Sequence, residues 1–184
     1  MALPGIKQRM ARFAGRFYRS CKGAMAVEFA LVAAPFFFLL FAIIEVTMVF
    51  FTSTALENAT MDTARKIRTG ELQTTGATGA DFINQVCADM SGLVTCNGNV
   101  SADVRTFADF GDISTNKPID QDGKLDSGSF QFDPGNAGDI VLVRVFFTWQ
   151  LNTPVIGTLF ANMAGNKRLI VASAAFRNEP YGIP

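Results

Sequence analysis

The chain has 184 residues, enough for one modest domain with an appendage but too few for two full domains. It contains 16 basic and 16 acidic residues and no histidine. Histidine is the commonest general base and the commonest metal ligand, so its absence argues against most hydrolytic and metal-centred chemistry. No phosphate-binding glycine loop, zinc spacing or nucleophile–base pair is found either. We predict that the protein is not an enzyme and holds no metal or cofactor.

The charges are distributed unevenly along the chain. Residues 1–22 contain six basic residues and no acidic one, which leaves ten basic against 16 acidic residues in the remainder. A basic arm can bind nucleic acid, but this one directly precedes an apolar run, as the cytoplasmic flank of a membrane helix does. We therefore predict a membrane partner and no nucleic acid. The six basic residues are Lys7, Arg9, Arg12, Arg16, Arg19 and Lys22.

The apolar run extends over residues 29–51 and carries a single charge, Glu45. As a helix, its 23 residues span roughly 34 Å, enough to cross a hydrocarbon core of about 30 Å. A secretory signal peptide has a shorter apolar core, although cleavage near Ala55 stays an alternative. Helical periodicity continues outside the membrane through Leu56, Ala59, Thr63 and Ile67, with basic residues before Gly70. These features predict one helix over about residues 24–69.

A possible processing site lies where the basic arm meets the apolar run, in the sequence CKGAMAVEFALV. Gly23 is followed five residues later by Glu28, and Phe29 comes next. Glu28 alone could simply extend its carboxylate to the membrane surface. No other glycine of the chain has a glutamate five residues further on. Together with the basic arm and the apolar stem, this spacing resembles the processing site of type IV prepilins, and especially of TadE-like pseudopilins.

The resemblance to TadE-like proteins extends over residues 23–68, and the closing sequence IVASAAFRNEPY is similar to the end of TadE proteins. It implies that a prepilin peptidase cuts between Gly23 and Ala24, and that Glu28 pairs with the new amino terminus of a neighbouring subunit. It also implies a minor pilin or pseudopilin that helps to assemble adhesive Tad (Flp) pili. The implied partners are the peptidase, other Tad pilins and pseudopilins, and assembly-platform proteins. The related TadF and TadG proteins share the stem, but TadG carries a large further domain.

The rest of the chain predicts a small α+β domain outside the membrane. After a linker over residues 70–80, the residues Phe82, Val86, Met90 and Leu93 follow helical spacing. Strands are predicted over residues 99–107, 139–151 and 168–176, with a long loop between the first two that could hold a short hairpin. The fold class is therefore a long transmembrane helix followed by an exported domain, residues 81–184, with an antiparallel sheet and short helices.

Two cysteines, Cys87 and Cys96, fall in the exported domain, where an oxidising environment favours a disulfide between them; two free buried cysteines are the alternative. Cys21 belongs to the leader, residues 1–23. The aspartates at 120, 122 and 126 surround Gly123, but their spacing departs from that of a calcium loop and indicates a solvated turn.

The charge pattern predicts a bacterial inner-membrane protein that crosses the membrane once, with its amino terminus in the cytoplasm and its carboxyl-terminal domain in the periplasm. Within the membrane, Glu45 either binds a cation on an adjacent helix or lies near the outer interface. Two other functions stay open. The chain could be an uncleaved single-pass anchor for a periplasmic binding or sensor domain, or a globular protein released by signal peptidase.

Overall fold

The computed structural model describes residues 22–90, 94, 96, 98–114, 118–153 and 156–182. The predicted leader residues before Lys22, including Cys21, and the predicted core residue Leu93 lie outside this part of the chain. Two compact units can be distinguished, Met1–Ile44 and Glu45–Pro184. Helix α1, Lys22–Arg68, continues through the boundary between them.

In the first unit, residues 22–44 are helical throughout, with Pro35 inside the helix. Its large apolar side chains are exposed; Phe29 and Leu31, for example, are each 71% accessible. A helix that is apolar all round and has no protein covering it is expected of a segment that contacts lipid. Among the described residues, one helix is long and apolar enough to cross a membrane, over Gly23–Arg68.

The second unit contains a sheet of three antiparallel strands in the order β1 (Val100–Phe107), β2 (Ile140–Gln150) and β3 (Lys167–Arg177). Three short helices accompany it: α2 (Glu71–Thr75), α3 (Gly79–Asp89) and α4 (Ile156–Phe160). A 3₁₀ turn covers Phe110–Asp112. The predicted α+β fold, with one long helix followed by a small antiparallel sheet and short helices, is confirmed.

The core lies between one face of the sheet and one side of the helices. On the sheet, the register aligns Val100 with Phe147 and Ile170, and Val104 with Val143, so alternate residues form one apolar face. This face packs in a single cluster with α3 and with the part of α1 after Glu45. The cluster contains six residues that the helical periodicity predicted: Leu56, Ala59, Ile67, Phe82, Val86 and Met90. The predicted Thr63 is also buried, and Val49 and Ala64 join the cluster in addition.

Helix α3 begins with a capping box. The Thr78 side chain accepts a hydrogen bond from the Asp81 backbone N–H, and the Asp81 carboxylate accepts one from the Thr78 N–H at 2.9 Å. At its other end, the predicted disulfide between Cys87 and Cys96 is present, with the two Cα atoms 5.9 Å apart. The disulfide ties the helix to the chain that enters β1, and a short covalent loop of this kind restricts the unfolded state.

The long connection from β1 to β2 covers the free edge of β1. The Val104 N–H donates to Gln131 O, and the Asp133 N–H donates to Val104 O, each at 2.9 Å. Because an unpaired strand edge invites association with other chains, these bonds protect this side of the sheet. The hairpin considered for this loop is reduced to one antiparallel bridge, between Ile119 and Leu125.

The closing segment of the chain packs over the carboxyl end of α1. The Glu179 N–H donates to Arg68 O at 2.8 Å, and the two side chains form an exposed ion pair at 3.2 Å. Gly70 ends the helix in the left-handed region, at φ 79°, and a Cβ at this position would come within 2.5 Å of the Tyr181 ring. Gly70 is thus required both by its backbone conformation and by the aromatic ring above it.

We expect Gly70→Ala to lower the free energy of unfolding by more than Gly76→Ala. Both substitutions force a non-glycine residue into the left-handed region, at a cost of about 1–2 kcal/mol. An added Cβ has open space at Gly76, at φ 66°, but meets Tyr181 at Gly70. Denaturant unfolding of the full chain in mild detergent, followed by circular dichroism, measures the difference. Equal losses in the two variants would contradict the role given to Tyr181.

Candidate functional site

The residues of the predicted processing site lie in the first turns of α1. Gly23, Ala24, Glu28 and Phe29 are all helical and exposed. A Cβ added at Gly23 would meet no atom within 4 Å. Nothing in the packing of the described residues therefore requires glycine at this position.

Glu45 is the first residue of the second unit, and its carboxylate is bound by the domain that follows. The side-chain oxygens accept hydrogen bonds from two consecutive backbone N–H groups, Asn152 at 2.5 Å and Thr153 at 2.8 Å. Glu45 is only 9% exposed. A buried carboxylate is costly unless donors compensate for the lost water, and these two amides act as such donors. The sequence had suggested that Glu45 binds a cation on another helix or lies near the membrane interface. Neither interpretation predicted hydrogen-bond donors from the chain's own domain.

The Glu45 carboxylate borders a cavity of about 290 Å³. Helix α1 contributes the wall formed by Val46, Val49, Phe50 and Ser53, while the opposite wall comes from Leu151, Phe160 and the beginning of β3. The lining is mostly apolar, with Glu45 and Arg168 as the charged groups. The connection from β2 to β3, residues 151–166, therefore lies beside the helix segment 45–53.

A second charged cluster lies on the face of the sheet opposite the core. The Asp103 side chain is completely buried and accepts hydrogen bonds from Arg144 Nη2 at 2.6 Å and from Arg105 Nε at 2.9 Å. The Gln131 backbone N–H donates to the same carboxylate at 3.0 Å. Burial alone would raise the pKa of Asp103, but the hydrogen bonds from Arg144, Arg105 and Gln131 lower it below the ordinary aspartate value.

Other polar residues singled out in the sequence have structural roles in the turns. The Asp120 side chain accepts from the Lys124 N–H at 2.7 Å, and the Asp126 side chain accepts from the Gly128 N–H at 3.1 Å. These bonds stabilise tight turns around Gly123. Within the described ranges, no group of three or more histidine, cysteine or carboxylate side chains is placed to hold a metal ion.

The comparison with known protein families identifies the helical stem. Residues 23–65 match the TadE-like protein family. The stem is TadE-like. No curated protein and no solved structure matches the chain. The recognition made from residues 23–68 is thereby confirmed for the stem, while residues 66–184 lie outside the matched segment.

The segment that matches the TadE-like family covers 43 of the 184 residues, all of them in helix α1. The matched segment includes Gly23, Glu28 and Phe29 at one end and the buried stripe of α1 up to Ala64 at the other. It also contains Glu45. The stem therefore includes both the segment that can cross a membrane and the helical surface on which the domain core is built.

Replacing Glu45 should loosen the connection between β2 and β3. In Glu45→Gln, an NH2 donor replaces one of the two carboxylate oxygens, so it faces a backbone N–H and cannot accept its hydrogen bond. Loss of one charge-assisted hydrogen bond, worth about 1.5 kcal/mol or more, should raise hydrogen exchange at Asn152 and Thr153 about tenfold. Mass spectrometry of the full chain in detergent measures this exchange. Glu57→Gln, an exposed position on the same helix, serves as the control.

If exchange at Asn152 and Thr153 is the same in Glu45→Gln as in the unchanged chain, the carboxylate does not hold this connection.

The Asp103 cluster should make stability depend on pH. Because the folded pKa is lowered, the carboxylate stabilises the fold above its unfolded pKa of about 3.9, and this contribution is lost as the pH falls through the folded pKa. At neutral pH, Asp103→Asn should lower the free energy of unfolding by about 3 kcal/mol, since it removes the buried carboxylate that accepts charge-assisted hydrogen bonds from Arg144 and Arg105. Urea unfolding across the acid range measures the effect, which should shrink towards low pH.

Asp122→Asn is the matched control, because Asp122 is exposed on a turn. A constant difference between Asp103→Asn and the unchanged chain at every pH would contradict the stated origin of the effect.

Proposed function

We propose that this protein is a TadE-like minor pilin or pseudopilin, processed after Gly23 by a prepilin peptidase, which takes part in the assembly of Tad (Flp) adhesive pili. The observation that carries the proposal is the TadE-like match over residues 23–65, which begins at the glycine where the cut would occur. The basic arm immediately before it supports a cytoplasmic cleavage site.

The local conformation supports a role for glycine in cleavage. Gly23 lies in the first turn of α1, and a protease binds its substrate as an extended chain, so the turn must unwind before cleavage. Glycine is a poor helix former, by about 1 kcal/mol relative to alanine, and this lowers the cost of unwinding. It also leaves room for the protease to approach the backbone.

Cleavage would change the electrostatics of the stem. It would remove all six basic residues of the leader together with Cys21, and create an ammonium group at Ala24. Glu28 lies exposed one helical turn further on, and in a bundle of stems a carboxylate in lipid needs a cation. We propose that Glu28 pairs with the amino terminus of a neighbouring subunit, while the inner membrane holds residues 29–51.

This topology places the domain over residues 81–184 in the periplasm and the uncut leader in the cytoplasm. The disulfide between Cys87 and Cys96 agrees with an oxidising compartment for the domain. The proposed partners are the peptidase, other Tad pilins and pseudopilins, and the assembly platform.

The test is the amino-terminal sequence of the protein extracted from membranes that contain the Tad peptidase. We expect it to begin at Ala24 in the unchanged chain and at Met1 in Gly23→Leu, since a bulky side chain blocks access to the backbone. The folded chain has room for a side chain at position 23, so a loss of processing cannot be ascribed to misfolding. Gly15→Leu, in the same basic arm, should be processed normally.

Normal processing of Gly23→Leu would contradict the proposal. An unchanged chain that begins at Met1 would instead favour an uncleaved membrane anchor, and one that begins near Ala55 would favour release by signal peptidase.

A further inference from the structure

The connection from β2 to β3 exposes apolar side chains on a short helix. In α4, Leu159 is 75% exposed and Phe160 is 39% exposed. Gly157, in the same helix, is buried so closely against Asn166 that a Cβ would lie within 2.6 Å of the Asn166 Cγ. Helix α4 therefore packs closely against Asn166, while its Leu159 and Phe160 side chains are exposed.

This connection is fixed beside the first turns of α1 in the second unit. The Glu45 carboxylate binds the backbone at Asn152 and Thr153, and Phe160 lines the same cavity as Phe50. Phe50 is itself 69% exposed. Phe160 therefore lies next to an exposed apolar part of the helix, and its neighbour in the chain, Leu159, is exposed as well.

Two basic residues follow at the beginning of β3. Lys167 is exposed, and Arg168 donates a hydrogen bond from Nη1 to Phe160 O at 2.9 Å. No salt bridge joins either of them to a described carboxylate. Basic side chains beside exposed leucine and phenylalanine are the combination that binds at a membrane surface, where the apolar groups enter the acyl boundary and the cations meet lipid phosphates.

We propose that the surface formed by Leu159, Phe160, Lys167 and Arg168, here called the α4 surface, contacts the phospholipid headgroups and outer acyl boundary of the membrane that α1 crosses. The inference rests on the proposed function, because it takes residues 29–51 as the membrane span. Glu45 lies six residues before the outer end of that span, or about 9 Å along the helix axis. An element bound at Glu45 is therefore at interfacial depth, which extends about 5–10 Å into the headgroup and acyl boundary.

The α4 surface gives the domain a second attachment to the membrane. With the helix as the only attachment, the domain could rotate about the helix axis and tilt with it. A second contact, beside the helix and held by Glu45, restricts which side of the domain faces neighbouring subunits. In this arrangement the Glu45 hydrogen bonds compensate a buried charge and also hold the α4 surface at the membrane.

The test uses the full chain with Cys21→Ser, reconstituted into vesicles that contain anionic phospholipid. Single cysteines at positions 159, 41 and 74, replacing Leu159, Phe41 and Thr74, are labelled with an environment-sensitive fluorophore; Cys87 and Cys96 are protected by their disulfide. Lipids with a nitroxide high on the acyl chain quench a fluorophore that lies at the membrane surface, and lipids with a nitroxide near the chain end quench one at the bilayer centre. Thr74 is exposed beyond the other end of the stem and reports the aqueous case.

We expect blue-shifted emission at positions 159 and 41, quenched by the shallow nitroxide at position 159 and by the deep nitroxide at position 41, and unshifted, unquenched emission at position 74. Lys167→Gln should reduce the quenching at position 159 in anionic vesicles and leave that at position 41 unchanged. Quenching at position 41 without quenching at position 159 would overturn this inference and leave the proposed function intact. Absence of quenching at position 41 would overturn the membrane span, and the proposed function with it.

A blue shift at position 159 without quenching by lipid would show that protein, such as a second copy of the chain, covers the α4 surface. That result also overturns the inference.

Discussion

The burial of one face of the sheet against the helices is the interaction on which the rest of the second unit depends. One face of the three-stranded sheet is apolar and is stabilised by removal from water. Helix α3 and the residues of α1 from Val49 to Ile67 cover this face. Each fully buried side chain such as Leu56, Ile67 or Phe82 contributes about 1.5–3 kcal/mol. The part of α1 after Glu45 thus supplies five of the 18 described buried residues in this cluster and forms one wall of the core.

Two carboxylates of the second unit, Asp103 and Glu45, are buried outside the apolar cluster. Asp103 and Arg144 occupy the opposite face of the sheet. On this face, Phe130 of the long β1–β2 connection stacks on Phe146, with the ring centroids 4.9 Å apart. Glu45 is also withdrawn from water, and it is compensated by backbone amides. In each case the cost of burying a carboxylate is met by donors from a different part of the chain, which makes these contacts specific for one arrangement of the fold.

The proposed pilin-type function agrees with the difference between the first and the last turns of helix α1. The TadE-like stem has exposed apolar residues on its first turns and a core-forming stripe on its last turns. Under the proposed function, the stems pack with one another while the domain keeps its shape. Here the disulfide, the Asp103 cluster and the packing of Tyr181 over Gly70 stabilise the domain independently of lipid.

Local patterns in the sequence were enough to determine the helix over about residues 24–69, the three strands and the pairing of Cys87 with Cys96, because each depends on periodicity or on short separation along the chain. The motif around Gly23 and Glu28 also pointed to the family without any coordinates. The partners of Glu45 could not be predicted, since the donors lie 107 and 108 residues away. Asp103 and Arg144, 41 residues apart, likewise meet only because β1 and β2 pair in one register. Only the tertiary structure decided these contacts, because the packing of the core determines which donors lie next to each buried carboxylate.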